Sequence, residues 1–79
     1  MPGFIVEVTI PSETAVARIE RAIRTAGSHF AAHATWWRRG GVFSGTIAID
    51  AASEAEALRV VPAEMRASAR ARMCHAVAA

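Results

Sequence analysis

Glu7 is the single acid in the run FIVEVTI, residues 4–10, and the first residue of the chain with chemistry to offer. A carboxylate set in an apolar strand is the residue type of a general base; the competing reading is an ion pair with a neighbouring cation. Arg70 and Arg72 stand two apart in ASARARMCHAV. On a strand that spacing puts both guanidinium groups on one face, where they would hold a carboxylate or a developing enolate oxygen. The same two charges would also guard a sheet edge against aggregation. His33 is the candidate acid/base partner of Glu7, since imidazole readily gives and takes a proton.

His29 and His33 are four residues apart. On a strand that separates them by about 13 Å, too far for one metal ion, whereas on a helix they would share a face. Two imidazoles with no carboxylate at suitable spacing fall short of a metal centre, so no metal is expected. Trp37 would stack on a planar ligand or pack at a dimer interface, where tryptophan is enriched. Ser44 and Thr46 would offer hydroxyls beside it. Cys74 has no adjacent cation and histidine to activate it and reads as an inert thiol.

The element that must position these residues is a β-hairpin, WWRRGGVFSGTIAID, residues 36–50. Gly40-Gly41 is expected to supply both positive-φ positions of a two-residue primed turn. That loop sets Arg39 opposite Val42, Trp37 opposite Ser44, Trp36 opposite Gly45 and Thr35 opposite Thr46. Alternation then gives a core face (Ala34, Trp36, Phe43, Ile47, Ile49), with Gly45 making room for the Trp36 indole. The opposite face carries His33, Thr35, Trp37, Ser44, Thr46 and Ala48.

Around the hairpin the chain reads as a first strand over 4–10, with Phe4, Val6, Val8 and Ile10 on one side and Ile5, Glu7 and Thr9 on the other. Pro11 ends it, and Ser12 is a suitable N-cap for a helix whose apolar stripe is Val16, Ile19, Ile23 and Ala26. Glu20 and Arg24 pair on its exposed side. Gly27 would close this helix at 26, but Phe30 continues the stripe, so an end near residue 31 stays open. The hairpin strands are expected over 32–39 and 42–50. Ser53-Glu54-Ala55-Glu56 is a capping box opening a short helix to about Val61. A last strand begins at Ala67 and runs to Val77, with Ala69, Ala71, Met73 and Val77 facing one way and His75 toward the helices.

The order is βαββαβ, a split-βαβ or ferredoxin-like α+β unit: a four-stranded antiparallel sheet with two helices on one face. The other face then gathers Ile5, Glu7 and Thr9 with the polar side of the hairpin and with Arg70, Arg72 and Cys74. It is too polar for a second core. Two such sheets related by a twofold axis would enclose a polar cavity, a dimeric α/β barrel.

Composition agrees with one small domain, residues 1–79. A chain of this size buries only about 60–65% of its unfolded surface, which favours a partner copy. Hydrophobic residues make up 53%, much of it alanine, which adds helix propensity but little buried area. All nine Lys/Arg residues are Arg, and the formal net charge is only +2. These charges form no basic tract, which argues against nucleic acid. The one cysteine excludes an intrachain disulfide. With no apolar run near the roughly 18 residues of a membrane span and no signal-peptide pattern, a cytoplasmic protein without a membrane partner is expected.

Trp37-Arg38, Gly41, Asp50, Ser53 and Glu56 form the ungapped block W-R-x-x-G, eight residues, D-x-x-S-x-x-E, followed by Pro62. This block resembles the muconolactone isomerase-like group of dimeric α+β barrels over about a quarter of the chain. The resemblance implies the barrel fold, a homodimer and a cofactor-free reaction that moves a double bond by proton transfer beside a carbonyl. It differs after the second helix, where Ala63-Glu64-Met65-Arg66 replaces an aromatic, proline-rich stretch.

These readings together lead to a homodimer that binds a small organic carbonyl or lactone compound. Glu7 and His33 are its candidate catalytic residues, and Trp37, Ser44, Thr46, Arg70 and Arg72 its substrate contacts, with no cofactor or metal. The rival is a non-catalytic ligand-binding or regulatory module on the same dimer. A cofactor-free monooxygenase ranks below these, as does an RNA-binding sheet, which lacks the stacking aromatics of such domains: VFSGTIAI offers only Phe43, on the buried side.

Overall fold

The computed structural model describes residues 2–74. It is an α+β structure, compatible with a ferredoxin-like fold, built on one four-stranded antiparallel sheet. The strands are β1 (Gly3–Pro11), β2 (Thr35–Arg39), β3 (Val42–Asp50) and β4 (Ala69–Cys74), in the order β2-β3-β1-β4. The helices are α1 (Ser12–Ala26), α2 (His29–His33) and α3 (Glu54–Ala57), with 3-10 turns at Leu58–Val60 and Ala63–Ser68. The last strand thus begins two residues later than expected, after a 3-10 stretch that its alternation concealed. The expectations for His75 and Val77 lie outside the described residues.

β1 is central because it can bury one side completely. Phe4, Val6, Val8 and Ile10 are all 3% exposed or less, while Ile5, Glu7 and Thr9 alternate to the opposite face. The helical layer covers the first side: α1 packs on β1 and β3, α3 on β1 and β4, and the 63–68 turn on β1 and β4. That turn delivers Met65, fully buried, to the same core as Val61. It is tied down by Arg66 Nε donating to the Val61 carbonyl at 3.0 Å and Arg18 donating to the Glu64 carbonyl at 3.1 Å. The stretch that departs from the isomerase-like pattern therefore closes this core.

α1 starts one residue earlier than a Ser12 cap would allow. Pro11 occupies the cap position, and the Ser12 amide donates instead to the Gly41 carbonyl at 2.9 Å, tying the helix start to the hairpin turn. Its buried ridge is also rotated from the expected one. Ala15 and Ala22 are buried and Ile19 packs against the core, but Val16 and Ile23 are 55% and 41% exposed. The small alanines let the helix approach the sheet closely and leave the larger residues on its flank. The side chain of Ala26 lies outside the described part. Glu20 and Arg24 pair at 3.5 Å on the exposed side, as expected.

Gly27 resolves the open helix end. It adopts φ +59° and its amide donates to the Ile23 carbonyl, the 5→1 bond of a left-handed helix stop, while the Ser28 amide donates to the Ala22 carbonyl. A new helix follows at once: the Ser28 hydroxyl accepts from the Ala31 amide at 3.1 Å and caps α2. Phe30 is buried as its place on the stripe requires, but on a second axis.

The hairpin register is as expected at all four pairs. Gly40 alone takes positive φ, +59°, so the turn has the type II′ pattern rather than two left-handed glycines. Trp36 covers the open edge of the core: its ring meets Phe30 edge-on at 5.7 Å, and its Nε1–H donates to the Ala31 carbonyl at 3.1 Å. The capping box at α3 forms with one variation. Ser53 Oγ accepts from the Glu56 amide at 3.1 Å, while Glu56 Oε2 accepts from Ala52 rather than from Ser53.

Candidate functional site

The face of the sheet away from the helices is assembled in rows by strand register. Glu7 lies opposite Thr46 on β3 and Arg70 on β4, and Thr46 lies opposite Thr35 on β2. One row therefore reads Thr35–Thr46–Glu7–Arg70, with opposite Cα atoms about 4.5–5.5 Å apart. The next row toward the hairpin turn is Trp37–Ser44–Thr9, where the Ser44 and Thr9 hydroxyls stand 3.5 Å apart, at the limit of a hydrogen bond. On the other side comes Ala48–Ile5–Arg72, then Asp50–Gly3–Cys74. Six of the seven residues singled out from sequence thus share one face: Glu7, Trp37, Ser44, Thr46, Arg70 and Arg72.

His33 does not join them. The expected strand start at residue 32 is corrected to Thr35, because Ser28 caps a separate turn of helix through His33. His33 is exposed at the end of that helix and lies against His29, with ring centroids 4.5 Å apart and the planes tilted by 33°. The separation of about 13 Å that a strand would impose is replaced by a close contact.

Glu7 is half-buried, and no charged side chain is fully buried among the described residues. Arg70 and Arg72 are exposed. The neighbouring arginine does not close an ion pair on Glu7: among the described residues the pair within 4 Å is Glu20–Arg24. The Glu7 carboxylate and both guanidinium groups thus remain available to a third party. Trp37 adds an indole that is 39% exposed.

A recess of about 180 Å³ opens at the far end of this face, lined by Gly3, Phe4, Ala48, Ile49, Asp50 and Cys74. Gly3 leaves the gap: a Cβ there would meet Asp50 Oδ1 at 3.8 Å and the Cys74 Cβ at 3.9 Å. The recess is smaller than the roughly 300–1,000 Å³ of a typical small-molecule site. It also lies two rows from Glu7. Sequence reasoning did not single out this row; its signal was a glycine on the first strand in register with an acid and a thiol.

No three His, Cys, Asp or Glu side chains converge among the described residues, and no described helix is long and apolar enough to cross a membrane. Comparison with protein-family models, with curated proteins and with solved structures finds no match to this chain.

Proposed function

We propose that the chain is a homodimeric ferredoxin-like barrel that binds a small anionic carbonyl or lactone compound between two facing sheets, with Glu7 as the proton-transferring base. One observation carries this reading: the row Thr46–Glu7–Arg70 sets a carboxylate, with no ion-pair partner among the described residues, beside a guanidinium and a hydroxyl. A base that abstracts a proton beside a carbonyl needs a cation or donor where the negative charge develops. Arg70, with Arg72 one row away, meets that need, and Thr46 supplies a neutral donor. Trp37 forms the apolar wall. In a single chain this face is an open surface, so closure over a ligand is assigned to the partner copy.

The displacement of His33 to α2 removes the second acid/base group from the face. That favours, as the second reading, a binding or regulatory module on the same dimer that holds the anion without turning it over. Glu7→Gln separates the two. Under the first reading it abolishes turnover of small carbonyl acids while leaving the fold and the dimer intact; under the second, wild type and variant bind such acids and neither converts them.

A further inference from the structure

We propose that His29 and His33 form a two-imidazole binding site for a divalent transition metal, Cu(II) or Ni(II), on the outer side of α2. The site is independent of the sheet face. The two residues are i and i+4 on one helix, so their side chains leave the same side one turn apart. Their ring centroids are 4.5 Å apart with the planes inclined at 33°. For metal–nitrogen bonds of about 2.0–2.1 Å, two rings in adjacent positions at a right angle have centroids about 4.5 Å apart, while a tetrahedral angle needs about 5.2 Å. The observed spacing leaves room for one ion shared by both rings, and the affinity of imidazole ligands for divalent ions rises through Ni(II) to a maximum at Cu(II).

A helix of five residues would not hold such a geometry by itself. Here the scaffold holds it. Ser28 caps the first turn, Phe30 and Ala31 are buried between the two histidines, and the Ala34 amide closes the last turn on the Phe30 carbonyl at 2.8 Å. Both histidines are exposed, so an ion reaches them directly from solvent. No carboxylate or thiol completes a set of three with them among the described residues, which leaves the remaining coordination positions to water or an exchangeable ligand. A metal bridging the two rings would also brace α2 where the Ala31 carbonyl accepts from the Trp36 indole at 3.1 Å, linking occupancy to the edge of the hairpin.

The test is calorimetric titration of the intact chain with Ni(II) alone, repeated with His29→Ala and His33→Ala, with circular dichroism to check that each variant folds. The expected result is saturable uptake of one Ni(II) per chain that weakens about tenfold or more in each variant, because loss of either ring removes the chelate advantage. Ni(II) should raise the thermal midpoint of the wild type and not of the variants. Wild-type affinity retained in either variant, or no saturable uptake by the wild type, overturns the proposal.

Discussion

The indole of Trp36 lies directly over Gly45 on the neighbouring strand: a Cβ built at residue 45 would stand 2.6 Å from the ring. The two are register partners, so the absence of one side chain is the seat of the other. Gly45→Ala must push the indole off Phe30 and break its bond to Ala31. The expected cost is about 1–3 kcal/mol, read as a lower midpoint in thermal or urea unfolding. An unchanged midpoint would mean that the ring finds another seat.

Met65 fills the core from a 3-10 turn rather than from a helix, and it is fully buried. Met65→Ala leaves a cavity between that turn and β1, with an expected loss of about 2–5 kcal/mol. Met65→Leu keeps the volume and should cost less than about 1.5 kcal/mol. Chemical denaturation of the two variants checks the pair, and equal losses would argue against a cavity effect.

Gly27 at φ +59° has nothing within 4 Å of where a Cβ would stand. Gly27→Ala therefore meets no clash, and its cost is the backbone conformation alone, about 1–2 kcal/mol. For a domain of this size that lowers the thermal midpoint by roughly 4–8 °C per kcal/mol. A larger loss would show that the junction between α1 and α2 carries more than a helix stop.

If the face bearing Glu7 closes on a second copy, the mass by light scattering is twice 8.4 kDa. Trp37 sits in that face with its indole 39% exposed, so Trp37→Glu should return the mass to 8.4 kDa without altering the circular dichroism spectrum. A wild-type monomer would sink the barrel reading and leave the sheet face free for another partner.

Arg70 and Arg72 differ in their distance from the base by one row. On the proposed reading, Arg70→Ala weakens binding of a small carboxylate more than Arg72→Ala does, by about tenfold or more, since a charge-assisted hydrogen bond contributes about 1.5–3 kcal/mol. Equal and slight effects would mark both arginines as edge protection.

Much of this architecture was legible along the chain because it depends on local rules. Alternation in FIVEVTI, the two-residue loop at Gly40-Gly41 and the capping box at Ser53 each act over a few residues. Together they determine the strand faces, the hairpin register and the start of α3. The same alternation places Glu7, Thr46 and Arg70 on one face, where the strand register sets them in a single row. What the tertiary structure decided depends on competition between local signals. Val16 and Ile23 outweigh Ala15 and Ala22 in hydrophobicity, yet close approach to the sheet favours the small residues, and the helix is rotated accordingly. Ser28 begins a new helix where alternation extended a strand, because its hydroxyl finds the Ala31 amide and the Trp36 indole finds the Ala31 carbonyl. That bond pair moved His33 from the sheet face to a place beside His29. It spans the junction of two elements, where neither period reaches, so only the folded chain could decide it.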